Sequence, residues 1–203
     1  MFKIIAVTNR KLCQKNFLEQ IEAIAKSSVS AIILREKDLT ETEYIKLAGD
    51  VLRICNRYSK ECILHSHPKA ARLYGQTAIH MPLPLLRMQN KELGGFTKIG
   101  TSVHSVEEAV EAESLGATYL TAGHIFQTDC KKGVEPRGIV FLEDIIKAVS
   151  IPVFAIGGIS EYNLEEIWNA KASGACVMSA FMQAESPFHL QERLVNSTIS
   201  CRN

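Results

Sequence analysis

Lys98 to Ala122 reads KIGTSVHSVEEAVEAESLGATYLTA, and this stretch decides the fold. It opens on one short apolar run, Lys98–Val103, and closes on another, Tyr119–Ala122. Between them Val106–Leu115 carries its apolar residues at helical spacing. Ser105 stands directly before Val106-Glu107-Glu108, an N-cap hydroxyl followed by acids where the helix dipole favours them. Gly116 follows Leu115, where a helix stops before its next strand. The stretch is a strand–helix–strand unit. Its strands are near-continuously apolar, which suits parallel strands covered on both faces.

The same alternation extends in both directions. Further apolar runs are Lys3–Thr8, Ala31–Arg35, Cys62–His65, Ala78–Met81, Pro152–Ile156 and Ala175–Ser179. Helical patterns lie between and after them: Phe17–Ser27, Glu41–Tyr58, Pro68–Tyr74, Leu83–Leu93, Phe141–Val149, Leu164–Ala170 and Phe188–Ile199. Asn163 precedes Leu164-Glu165-Glu166 as a second N-cap candidate, and Ser173-Gly174-Ala175 closes that unit. Eight strand–helix repeats at about 25-residue spacing predict a single (β/α)8 TIM barrel over 1–203, with short loops. A doubly wound open sheet is the competing fold. It usually carries a glycine-rich turn after its first strand, whereas this chain has Thr8-Asn9-Arg10.

Composition sets the outer limits. The 203 residues are 46% apolar and 22% charged, ordinary for a globular chain, with a net charge of +1. That balance gives no general attraction to nucleic acid or to an anionic membrane. No apolar run approaches the roughly 18–20 residues of a bilayer span, and the N-terminus lacks the apolar core of a secretory signal. The expected location is the cytoplasm. The six cysteines form no CxxC pair, so free thiols are expected, with Cys62 and Cys176 as small core hydrophobes.

In such a barrel chemistry belongs at the C-terminal ends of the strands. Those ends gather five histidines, His65, His67, His80, His104 and His124, the residue type best suited to moving a proton near neutral pH. Gly157-Gly158 and Ser179 follow the seventh and eighth strands, where this fold often binds phosphate through close backbone approach. Arg35, Lys37, Lys131 and Lys132 add positive charge around the same mouth. His65-x-His67 is conceivable as a metal pair, but no carboxylate stands beside it, and no metal is assigned. His80 and His104 read as hydrogen-bonded structural histidines. His124 stands beyond the sixth strand, at the head of the longest loop, Ile125–Gly138. Cys130 beside lysine is a candidate activated thiol.

Together the motifs Leu34-Arg35-Glu36-Lys37-Asp38, Ser102-Val103-His104-Ser105, the Gly123–Gly138 loop, Ala155-Ile156-Gly157-Gly158-Ile159 and Val177-Met178-Ser179 resemble the thiamin phosphate synthase-like barrels nearly end to end. Two activities share that scaffold. A synthase joins a pyrimidine diphosphate to a thiazole phosphate with magnesium, and a tautomerase (TenI) aromatises a carboxythiazole phosphate without metal. Against the synthase pattern this chain has Ile33 for a Gln, His65-Ser66 for an Asn-Asp pair, Pro84 near a metal-binding Asp, and Cys130 for a Thr. The Gly123–Gly133 loop resembles the tautomerase. The resemblance therefore implies a thiazole tautomerase, with His124 as the acid/base. It implies Gly157, Gly158, Met178 and Ser179 around the phosphate, and Arg35, Lys37, His65, Ser102, Thr128 and Lys131 as further substrate contacts. It implies a phosphorylated thiazole as the small-molecule ligand, no cofactor, and a homodimer. Magnesium belongs only to the alternative, the synthase. A non-catalytic regulator is a further alternative, without a basic face or helix-turn-helix signal for DNA.

Overall fold

The computed structural model describes residues 2–89, 92–131 and 133–199. Lys132, named above for its charge, and Cys201, one of the six cysteines, lie outside the described residues. Eight parallel strands close into a barrel in sequence order: β1 (Lys3–Val7), β2 (Ala31–Leu34), β3 (Glu61–His65), β4 (Ala78–Pro82), β5 (Lys98–Val103), β6 (Tyr119–Gly123), β7 (Val153–Ile156) and β8 (Gly174–Val177). β8 returns to pair with β1, which removes every sheet edge.

Side-chain alternation along each strand divides the core in two. Ile4, Ile32, Leu64, Ile79 and Leu120 face outward into the layer beneath the helices. Ile5, Val7, Ile33, Ile63, Tyr119, Phe154 and Cys176 face inward and fill the barrel itself. Each aliphatic side chain so buried stabilises by about 1.5–3 kcal/mol relative to exposure. Near the C-terminal ends of β3 to β6 the inward positions turn polar, at His65, His80, Ser102 and Thr121.

Helices α1 (Phe17–Lys26), α2 (Glu41–Arg57), α3 (Pro68–Leu73), α4 (Leu83–Gln89), α5 (Val106–Ser114), α6 (Gly138–Ala148), α7 (Leu164–Asn169), α8 (Ser179–Gln183) and α9 (Pro187–Ile199) surround the sheet. Their starts follow local chemistry. Asn16 Oδ1 accepts from Leu18 N and Glu19 N, Thr40 and Glu43 form a capping box, and Ser105 Oγ accepts from Glu108 N. Tyr44 on α2 ties two strand ends together: its hydroxyl donates to Leu34 O at 2.6 Å and accepts from His65 N at 2.9 Å.

Several local expectations are corrected. The fourth helix is described over Leu83–Gln89 and does not reach Leu93; 90–91 lie outside the described residues. The sixth starts at Gly138, three residues before Phe141, because the returning loop is tied back by Arg137 N to His124 O and Gly138 N to Ile125 O. Asn163 holds the N-cap position of α7, but its side chain makes no capping bond and instead spans the preceding turn, accepting from Ser160 N and donating to Gly158 O. Gly174 opens β8 instead of closing the turn, since a Cβ there would meet Lys3 O at 2.0 Å, and Lys171 takes the left-handed position. Helix α8 begins at Ser179, where the sequence pattern still reads as strand. Among the described residues the cysteines are free, and no helix is long and apolar enough to cross a membrane.

Candidate active site

A cavity of about 710 Å³ opens at the C-terminal end of the barrel. Arg35, Lys37 and His65 line it from the ends of β2 and β3. Ser102 lines it from β5, and His124, Thr128 and Lys131 from the loop after β6. Gly157, Gly158, Met178 and Ser179 complete the wall after β7 and β8. His124 and the expected substrate and phosphate contacts therefore line one space.

The segment Arg35-Glu36-Lys37 continues the strand's alternation beyond β2. Arg35 and Lys37 face the cavity, while Glu36 turns away into a clasp between strand ends. Its carboxylate accepts from Thr8 Oγ1 at 2.6 Å and from Arg10 N at 3.0 Å, and pairs with Arg10 Nη1 at 3.1 Å. Among the described residues neither Arg35, Lys37 nor Lys131 has a carboxylate within ion-pair distance. Burial lowers the Arg35 pKa. Burial likewise lowers that of Lys37, which also feels the positive charges of Arg35 and Lys131. These cations lie near one another around the cavity, the electrostatics of a site suited to an anion.

The glycines after β7 make room for the loop after β6. A Cβ on Gly157 would lie 2.3 Å from His124 Cβ, and one on Gly158 would lie 2.3 Å from Gln127 O. Both have positive φ, +101° and +68°, which suits glycine. The two loops pack backbone to backbone, with Phe126 N donating to Gly157 O. His124 itself is 5% exposed. Its Nε2 lies 3.3 Å from Val134 O, an atom that can only accept, so Nε2 carries the proton. Among the described residues the buried Nδ1 has no hydrogen-bond partner.

His80 and His104 are hydrogen-bonded within the barrel, while His65 also lines the cavity. His104 Nδ1 donates to Gly123 O at 2.7 Å. His80 bridges Tyr119 Oη at 3.0 Å and Ser102 Oγ at 2.9 Å. His65 contacts Ser66 Oγ at 2.7 Å through Nδ1 and stacks on His80. His67 does not join it in a pair, because it leaves the strand and stacks on Tyr44 at 3.8 Å between centroids.

The donor set does not fit a divalent cation. Magnesium takes hard oxygen ligands, yet the cavity's carboxylates are Glu108 and Asp129. Glu108 is already committed to His104 N at 2.6 Å. Among the described residues no three His, Cys, Asp or Glu side chains converge. Sequence reasoning missed Gln127 and Gln183 on the cavity wall, uncharged residues that no motif singled out.

The fold and mouth define a class: a (β/α)8 barrel with a cationic cavity at the C-terminal ends of its strands. Within it, the chain belongs to the thiamine monophosphate synthase family, whose model matches residues 4–181. It is 33% identical over 189 residues to the thiamine-phosphate synthase of Clostridium acetobutylicum, covering 91% of this chain and 89% of that one. It is 32% identical over 197 residues to the thiamine-phosphate synthase of Pyrococcus abyssi, covering 95% and 92%. Among solved structures, the thiamine phosphate pyrophosphorylase of Pyrococcus furiosus superposes with a TM-score of 0.84 at 28% identity, covering 100% of this chain and 98% of that one.

These relatives overturn the assignment to the tautomerase branch. They are synthases, and the likeness runs along nearly the whole chain, whereas the tautomerase assignment rested on one loop and a few substitutions at the mouth. The expected isomerase is corrected to the alternative, a synthase-type transferase.

Proposed function

We propose that the chain joins a pyrimidine diphosphate to a thiazole phosphate, forming thiamin phosphate and releasing diphosphate. The observation that carries this is the trio Arg35, Lys37 and Lys131 around the cavity, without carboxylate partners among the described residues, in a chain aligned over 91% of its length with a synthase. As the bond from carbon to diphosphate oxygen breaks, the leaving group takes the electron pair and charge gathers on it. Fixed cations stabilise that charge where it develops. Because the site's donors do not fit magnesium, no step is assigned to a metal.

The remaining residues divide the two substrates between them. Gly157, Gly158 and Ser179 take the thiazole phosphate at the place where this fold holds phosphate, with Met178 against the ring. Ser102 and Thr128 are hydroxyl donors to phosphate oxygens, and His65 lies at the cavity floor. His124 accepts a hydrogen bond from a substrate N–H through its unpartnered Nδ1 and orients the heterocycle. Holding both substrates at reacting distance supplies most of the acceleration in such a transfer. The unpaired cysteines suit a reducing compartment such as the cytoplasm. A homodimer is the proposed assembly, read by sedimentation.

The test is diphosphate release in a coupled assay. Release that needs both substrates together, and that falls at least tenfold in Lys37→Ala, supports the reading. Release from the pyrimidine diphosphate alone, or none with both present, overturns it.

A further inference from the structure

Beneath the cavity, three adjacent strands send polar side chains into the barrel. Tyr119 Oη lies 3.0 Å from His80 Nδ1, His80 Nε2 lies 2.9 Å from Ser102 Oγ, and Thr121 Oγ1 lies 3.0 Å from the same Ser102 oxygen. Tyr119 and His80 are 3% and 2% exposed, whereas Ser102 reaches the cavity wall. The chain has a space kept for it. A Cβ on Gly100 would sit 2.3 Å from Tyr119 Oη and 2.5 Å from His80 Nδ1.

Satisfaction of buried groups fixes where the protons lie. A neutral imidazole offers one N–H and one lone pair. If Nδ1 of His80 held the proton, Tyr119 would accept it. The phenolic hydrogen would then be an orphaned buried donor, since His80 is that hydroxyl's hydrogen-bond partner. The arrangement without an orphan has Tyr119 donating to Nδ1, and Nε2–H donating to Ser102 Oγ. Thr121 donates to that oxygen too. With both lone pairs of Ser102 occupied, its own hydrogen turns to the cavity.

We infer that Tyr119 and His80 are positioning residues that hold the Ser102 hydroxyl as an obligate donor to an anionic oxygen of the bound ligand. Such a donor favours phosphate oxygens, which accept only, over a ligand group that must donate. The inference rests on the proposed function only in taking the cavity as an anion site. It does not require turnover.

Calorimetric titration with inorganic pyrophosphate tests it, using the intact chain and the variants Ser102→Ala, Tyr119→Phe, His80→Gln and the double variant Ser102→Ala/Tyr119→Phe. Without the phenolic donor, Nδ1 of His80 is unpartnered in either tautomer, so the tautomer is no longer fixed and the form that accepts from Ser102, turning the hydroxyl away from the ligand, becomes accessible. Tyr119→Phe and Ser102→Ala should each weaken binding about tenfold, the size of one charge-assisted hydrogen bond. The double variant should lose no more than Ser102→Ala alone. His80→Gln, whose amide N–H can replace Nε2–H, should keep most of the affinity. Losses that add in the double variant, unchanged binding in Tyr119→Phe, or no pyrophosphate binding by the unaltered chain each overturn the inference. Because turnover is not read, failure of thiamin phosphate synthesis would leave this result standing by itself.

Discussion

Gly157 and His124 occupy one another's space: a Cβ on the glycine would lie 2.3 Å from the histidine's Cβ and 2.8 Å from its Cα. The turn after β7 thus sets the height of the loop after β6, and with it the cavity wall. Gly157→Ala should lower stability by about 1–3 kcal/mol, from overpacking and from a left-handed φ, and should weaken pyrophosphate binding. Gly116 is the control. It also has positive φ but nothing lies within 4 Å of a Cβ there. Gly116→Ala should cost about 1 kcal/mol and leave binding intact. Urea midpoints and calorimetry distinguish the two.

Gly100 makes the same kind of demand inside the barrel. A Cβ would reach 2.0 Å from Tyr119 Cζ, so the ring must shift and its bond to His80 must lengthen. Gly100→Ala should destabilise by about 1–3 kcal/mol. A melting temperature equal to that of the unaltered protein would show that the ring has room the structure does not reveal.

Tyr44 holds β2 and β3 together at the cavity floor through one hydroxyl. Tyr44→Phe keeps the ring and its stacking on His67 but leaves Leu34 O and His65 N without that partner. Stability should fall by about 1–3 kcal/mol, the usual cost of unsatisfied buried groups. Chemical denaturation gives the number directly.

Acid should destabilise the fold through its interior histidines. Burial lowers the pKa of His80 to about 3, and burial followed by the charge of His80 holds His65 well below its ordinary value. In the unfolded chain both protonate near pH ~6.5, so below that the unfolded state binds more protons. Their contribution is fully present above pH ~6.5 and is lost as pH falls toward 3, by up to ~1.4 kcal/mol per pH unit for each group. His80→Gln should flatten that slope. A urea midpoint equal at pH 7.5 and pH 4.5 would contradict the assignment.

The cations predict a salt effect. Lys37 and Arg35 meet an anion in a partly buried setting, so pyrophosphate affinity should fall as ionic strength rises. Lys37→Ala should bind at least tenfold more weakly, with a shallower salt dependence. Equal slopes in the variant and the unaltered chain would remove Lys37 from the site.

The barrel was legible because its signals are local and repeated. Ser105 caps and Gly116 ends α5 as the sequence shows, and strand-end reading placed Arg35, His124 and Gly157 at one mouth. Other features depended on contacts distant in sequence. Gly174 serves Lys3 across the β1–β8 seam, and Asn163 serves the Gly158 turn rather than its own helix. The Tyr119–His80–Ser102 chain lies on three strands, and only strand register brings it together. The choice of reaction failed for a different reason. Local substitutions such as Pro84 and Cys130 point to the tautomerase, whereas the likeness to synthases is spread along the chain and no single motif carries it.

The most direct measurement is chromatography of the products formed by the purified chain from pyrimidine diphosphate and thiazole phosphate. The account predicts thiamin phosphate that accumulates only when both substrates and the protein are present, and that falls at least tenfold in Lys37→Ala. An altered thiazole phosphate formed without the pyrimidine diphosphate, with no thiamin phosphate in the complete mixture, would contradict it.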